Sequence, residues 1–212
     1  MRKKSIAYFI PAVLAVFFLL AFAGCAGPEP APENDQAAED VADGPDVFVA
    51  PKVETPPAVD GTPGDYPGTP LQVAGMEGYM AHDGETIYLY LQAEAGGWLS
   101  AGFNREGGGM DGANMIIGFF QDDGSAVVRN DLGQGQSHSE VADGILDGVF
   151  EEKDGAVVLE CAYPLIFPDG PQFNLQALEP GNVYTLILAF HAQSQDPTQR
   201  HSRWGRLDFT LE

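Results

Sequence analysis

Cysteine is almost missing from this chain: only Cys25 and Cys161 occur in 212 residues. With Cys25 taken up by the amino-terminal signal described below, Cys161 has no partner for an intrachain disulfide. Its alternation with Val157 and Leu159 marks it as a small buried hydrophobe. No Cys-x-x-Cys-His occurs, so covalent attachment of a c-type haem is excluded. Basic side chains are scarce as well, ten Lys and Arg against 31 Asp and Glu, a formal charge of −21. So acidic a surface excludes nucleic acid as a partner and direct adhesion to anionic lipid. Gly-x-Ser-x-Gly, zinc spacings and EF-hand loops are all missing, and Asp122, Asp123 and Asp131 fit turns better than a calcium loop. No motif points to an enzyme. Beyond the first 24 residues no window combines a helical period with caps.

What is present begins with an address. Arg2, Lys3 and Lys4 precede an apolar run from Ile6 to Phe22, which ends in Phe22-Ala23-Gly24-Cys25, the pattern of a lipoprotein signal peptide over residues 1–24. Processing would leave Cys25 as an acylated amino terminus, anchored to a membrane by more than one chain and holding the body outside the cytoplasm, on the periplasmic or cell-surface side. Its loss takes three basic and no acidic residues, leaving seven against 31, or −24. From Ala26 to about Thr69 the chain is rich in Pro, Ala, Asp and Glu, a composition that predicts an extended, disordered tether.

The remainder predicts strands. Thr86–Ala93 alternates Ile87, Leu89 and Leu91 with Tyr88 and Tyr90, and Gly205–Glu212 alternates Leu207, Phe209 and Leu211 with polar residues. Similar runs lie at 98–103, 113–120, 125–129, 145–150, 156–163 and 183–190. Asp83-Gly84, Asp123-Gly124, Asp154-Gly155, Asp169-Gly170 and Pro180-Gly181 are turn dipeptides between them. Many short strands with regular turns predict an all-β fold, an antiparallel, immunoglobulin-like β-sandwich.

Two features carry chemistry. Gly107-Gly108-Gly109 presents Met110 between two apolar strands, and a thioether is a soft metal ligand. A surface methionine in a loop is the plainer account. His201 lies among Arg200, Arg203 and Arg206, three of the seven basic residues of the processed chain, and His191 is an alternative imidazole. Met115 and Trp98 fit a sandwich core. His138 fits a structural or supporting role.

These stretches resemble the DOMON domain, a β-sandwich module found in relatives of dopamine β-monooxygenase and in cytochrome domains such as that of cellobiose dehydrogenase. The likeness runs through Asp83–Leu89, Gly97-Trp98-Leu-Ser-Ala-Gly102-Phe103, Met110–Gly118, Asp131–His138 and Leu186–Phe190 on to His201–Gly205. It covers about residues 46–212, which leaves 25–45 as the tether. Val59-Asp60-Gly61 is similar to the opening of family-nine carbohydrate-binding and ethylbenzene-dehydrogenase-like haem modules. The resemblance implies haem b held between Met110 and His201 as axial ligands, although Arg200 stands where an aromatic often precedes the family histidine. Such a six-coordinate iron implies electron transfer to a redox partner protein outside the cytoplasm. Phe103, Phe119, Phe120 and Trp204 are expected to wall the pocket, and Arg200, Arg203 and Arg206 to bind the propionates. The alternative is a haem-free carbohydrate-binding or adhesion module using Tyr79, Tyr88 and Tyr90 as exposed aromatics.

Overall fold

Strict alternation over strands with one buried face requires two sheets laid face to face, so that each inner row meets another. The computed structural model describes residues 47–105, 109–141, 144–145, 147–166 and 177–212. Cys25, the signal over 1–24, the tether over 25–45 and the Asp169-Gly170 turn lie outside the described residues. Among the described residues there are twelve strands and no helix. They are β1 (Phe48–Ala50), β2 (Leu71–Val73), β3 (Met76–His82), β4 (Thr86–Ala93), β5 (Leu99–Arg105), β6 (Asn114–Phe120), β7 (Ala126–Gln134), β8 (Ser137–Glu140), β9 (Asp147–Lys153), β10 (Ala156–Pro164), β11 (Val183–Phe190) and β12 (Arg203–Leu211). One sheet runs β1-β12-β11-β5-β6-β7-β8 and the other β2-β3-β4-β10-β9. The all-β sandwich expected from the sequence is what forms. Its pairs are antiparallel except β1, which joins β12 in parallel.

The core lies between the sheets. β5 contributes Leu99, Ala101 and Phe103, β11 contributes Tyr184, Leu186, Leu188 and Phe190, and the facing sheet supplies Leu89, Leu91, Leu159, Cys161 and Tyr163. Phe103 stacks on Tyr163 across the gap at 5.9 Å and meets Phe209 edge-on at 5.8 Å. Each such side chain stabilises the fold by roughly 1.5–3 kcal/mol through loss of apolar surface to water. Cys161 is fully buried there, and burial pushes its thiol well above the usual range. The β9–β10 hairpin turns on Asp154-Gly155, with φ of 54° and 84°, the pair of left-handed residues that a type I′ turn demands.

Composition misplaces one segment. The proline-rich stretch after Val47 is part of the fold and not tether: β1 pairs with β12, and residues 53–66 cover the outer face of the five-stranded sheet. The Glu160 side chain, wholly buried on that face, explains why. Its Oε2 accepts the backbone N–H groups of Asp60 at 2.9 Å and Gly61 at 2.6 Å, which fastens Val59-Asp60-Gly61 to β10. Tyr66 of the segment packs with Tyr79, Tyr88 and Tyr90 of the sheet beneath it, with Tyr90 only 2 % exposed. They therefore present no open aromatic platform, contrary to the expectation for a sugar-binding face.

Candidate functional site

The period of two divides each strand of the seven-stranded sheet into an inner row and an outer row. Leu99, Ala101 and Phe103 point inward, so Ser100, Gly102 and Asn104 point outward. By register the outward set includes Met115, Ile117 and Phe119 of β6, Ile187 and Ala189 of β11, and Trp204 and Arg206 of β12. This outer face is apolar at its centre. Gly102 leaves a gap in it: a Cβ there would meet Met115, Ala113 and Ile187 only at 3.5, 3.7 and 3.8 Å.

Two loops pack on this floor, and the longer, between β11 and β12, crosses it as far as His138 of β8. The β5–β6 connection carries Met110, whose backbone oxygen accepts the N–H of Ala113 at 3.0 Å. Asn104 Nδ2 donates to the carbonyls of Gly109 and Asp111, which fixes the end of the loop on β5. Met110 crosses the outer face over Gly133 of β7, where a Cβ would fall on its carbonyl and lie 3.2 Å from its Cγ. The β11–β12 connection carries His201, held where Ser202 donates to the Phe190 carbonyl at 2.8 Å. The His201 ring lies 6.0 Å from that of Trp204. Its Nδ1 is buried without a hydrogen-bond partner. Burial, and then the Arg200 guanidinium beside it, lower its pKa and favour the neutral imidazole, the form that donates a lone pair to a metal.

The structure thus places Met110 and His201 at diagonally opposite corners of this sheet. The strands under them, β7 and β12, are four steps apart in the sheet, about 19 Å at about 4.8 Å per step, and Met110 lies level with the Asp208 end of β12 whereas His201 precedes its Arg203 end, a further offset of about 17 Å along the strands at about 3.4 Å per residue. A shared metal would need the thioether and imidazole atoms within about 4–5 Å of each other, given metal–ligand bonds of about 2 Å. Holding one therefore takes an approach of the two loops across the floor.

The other expected site residues divide. Trp204 stands on the outer face beside His201, and Phe119 shares that face with the Arg129 guanidinium 5.4 Å from its ring centroid. Phe103 does not join them: it is an inner residue with no exposure, packed against Tyr163 and Phe209. Phe120 also turns inward, onto Phe150. Arg206 is exposed on the outer face, but Arg203 has inner parity, and its guanidinium approaches Gly75 in the β2–β3 turn of the other sheet. The three arginines therefore do not form one cluster. Met115 and Trp98 are buried as expected, though under loops on the outer face and not between the sheets. His191 is engaged, its Nδ1 accepting the N–H groups of Gln193 and Ser194.

A polar group at the edge of the floor was not legible as a unit. Asp131 is a strand residue, with no exposure, and not a turn residue. Arg129 grips it through two bonds of 2.6 and 2.8 Å, and His138 Nδ1 lies 2.6 Å from its Oδ2. Burial alone would raise the Asp131 carboxyl, but the hydrogen bonds from His138 and Arg129 outweigh it and hold the group below the usual carboxylate range. Nearby, a groove of about 560 Å³ runs between Phe119–Asp123 and Gln195–Pro197. Asp123 and Asp196 on its rim are occupied by their own turns through Ser125 and Thr198. Among the described residues no group of three or more His, Cys, Asp or Glu is placed to hold a metal ion.

Comparison with known proteins gives a thin return. No family profile matches the chain, and no curated protein matches it. Among solved structures, the chain is similar to the cytochrome b domain of pyranose dehydrogenase from Coprinopsis cinerea, with 14% identity over 64% of this chain and 75% of that one, at a TM-score of 0.43. It is similar to the cytochrome domain of Myriococcum thermophilum cellobiose dehydrogenase, with 13% identity over 65% and 75%, at 0.46. A family 9 carbohydrate-binding module from Caldicellulosiruptor kristjanssonii, in complex with glucose, matches with 8% identity over 77% and 95%, at 0.40. None of these likenesses assigns a role to a residue of this chain.

Proposed function

We propose that this protein is a membrane-anchored, extracytoplasmic electron-transfer protein that holds haem b non-covalently on the outer face of its seven-stranded sheet. The observation that carries the reading is the buried, unpartnered Nδ1 of His201 at one corner of an apolar floor, with Met110 at the corner diagonally opposite. An orphaned imidazole nitrogen costs free energy unless something fills its valence, and the surrounding apolar surface suits a flat, greasy group. The donors fit haem in kind, one thioether and one imidazole favoured neutral by burial, but not in place, so binding would require the two loops to close across the face. When bound, haem would supply a one-electron couple, raised in potential by the thioether.

The chain's own residues do the rest. Gly102 leaves the floor clear, Ile117, Ile187 and Trp204 keep water from it, and Arg206 offers a guanidinium to a carboxylate at its exposed edge. Arg200 favours the uncharged His201. The partner is a redox protein that reaches the same side of the membrane, where the lipid on Cys25 would hold this one. In this reading the chain moves electrons and catalyses no bond change.

Haemin titration of the purified chain in detergent tests this. A sharp Soret band with low-spin α and β bands on reduction is expected, and each of Met110→Ala and His201→Ala is expected to abolish the low-spin signature. An unchanged spectrum in both variants would remove the ligand assignment, and no uptake at all would remove haem.

A further inference from the structure

The two loops that pack on the floor are tied to the same piece of backbone. On the Met110 side, Gly112 N–H donates to the Gly133 carbonyl and Gly133 N–H to the Ala113 carbonyl, both at 2.9 Å. Asp111 Oδ1 accepts the Gly135 N–H at 2.7 Å. Gly133 and Gly135 belong to the β7–β8 hairpin. On the His201 side, the loop reaches the hairpin at His138 of β8, whose Nε2 donates to the Pro197 carbonyl at 3.0 Å, across 59 residues of sequence. His138 pairs with Gly133 in the ladder, so the two ties leave the hairpin at the same level. The other side of the His138 ring is fixed on buried Asp131, and Asp131 on Arg129.

We infer that His138 is a positioning residue for this site: the β7–β8 hairpin braces both loops, and the His138–Pro197 bond sets how far the His201 loop stands from Met110. The inference rests on the outer face being the binding site. It needs no contact between His138 and the bound group. Pro197 lies four residues before His201, so a change in the brace reaches the imidazole through a short span of backbone. Other ties of that loop hold its base and middle to the segment before β5 and to β6: Gly96 N–H to the Ala192 carbonyl, Trp98 N–H to the Ser194 carbonyl, Gln195 Nε2 to the Gly96 carbonyl, and Phe120 N–H to Gln195 Oε1. None of them reaches β7 or β8.

The fold should survive loss of His138, because Arg129 still pairs Asp131 through two bonds. Ser137→Ala is the control, since Ser137 Oγ bonds only within the hairpin, to the Gln134 carbonyl. Amide hydrogen exchange of the full chain without haem is the first measurement. In His138→Ala, exchange over 194–200 is expected to rise by on the order of tenfold or more, the loss of one charge-assisted or neutral hydrogen bond. Exchange in β4 and β10 should not change. Haemin loading is the second: His138→Ala, with Met110 and His201 both intact, should lose its low-spin bands or shift its midpoint potential, and Ser137→Ala should match the parent. Unchanged exchange over 194–200 overturns the inference. Faster exchange together with an unaltered haem spectrum and potential overturns the link to the site. Faster exchange in His138→Ala, with a parent chain that takes up no haemin, leaves the brace standing and sinks the haem reading instead. Should His138→Ala fail to fold, His138→Asn, whose shorter side chain can donate to Asp131 but not also span to the Pro197 carbonyl, is expected to give the same rise over 194–200.

Discussion

Gly102 is a position at which small and large substitutions are read against each other. It lies in the interior of β5, level with Met115 and Ile187, and no neighbour stands closer than 3.5 Å to where its Cβ would be. Glycine inside a strand costs about 0.5–1 kcal/mol relative to alanine through the entropy of the unfolded chain. Gly102→Ala should therefore leave stability unchanged or raise it by up to about 1 kcal/mol in chemical denaturation. Gly102→Leu is a different perturbation: it plants three further carbons on the floor between the two loops, outside the sandwich core. Stability should fall by about 1–3 kcal/mol, because Gly102 is buried and Met115, Ala113 and Ile187 already close around its Cβ position. Haemin affinity should fall by at least about tenfold, or about 1.4 kcal/mol, since a flat group can no longer lie against the strand. Paired measurements of denaturation midpoint and haemin titration read both quantities. A Gly102→Leu protein that takes up haemin like the parent would refute the outer face as the site. A Gly102→Ala protein destabilised by more than about 1 kcal/mol would show that the gap is already filled.

Phe103→Ala should destabilise by about 3–5 kcal/mol, a core cavity between Tyr163 and Phe209, while any molecules that remain folded keep their haem spectrum. Glu160→Gln retains an oxygen for the Asp60 and Gly61 N–H groups and removes a buried charge whose pKa is raised by that burial. It should be the more stable protein near neutral pH, with the advantage fading as pH falls through the raised pKa of Glu160 towards about 4, where the parent carboxyl is protonated in both states. Asp131→Asn should show the opposite slope. The depressed pKa of Asp131 contributes stability above about 4 that is lost as pH falls through its folded value, so this variant is weaker at neutral pH and the gap narrows in acid. Urea titrations between pH 3 and 7 check both, and parallel slopes would refute the assignment of the two carboxylates.

Much of the sandwich is legible in the chain because a half-buried strand writes its own period. Thr86–Ala93 and Val183–Phe190 form the strands their alternation predicts. The misses have physical causes. β1 and β2 are three residues each, too short for a period to show, and β1 draws its pairing from β12, some 160 residues away. Residues 53–66 look like tether because proline and acidic residues dominate them. They fold because one buried carboxylate, Glu160, collects two of their backbone N–H groups, and no composition window sees an acceptor a hundred residues distant.

The site was half legible for the same reason. Met110 and His201 stand out as chemical types, but their surroundings depend on parity, which is fixed strand by strand. In Leu99-Ser100-Ala101-Gly102-Phe103 the large residues alternate with small ones, so once Leu99 is inward Phe103 must be inward too. A pocket wall drawn from Phe103 was therefore excluded by its own strand, and the small residues Ser100 and Gly102 were the signal for a cleared outer face. The same rule splits Arg203 from Arg206, three positions apart and hence on opposite faces. Arginine density in sequence overstated an anion site that the sheet divides in two, leaving Arg206 as the side chain on the outer face of β12 with a charge to offer a carboxylate.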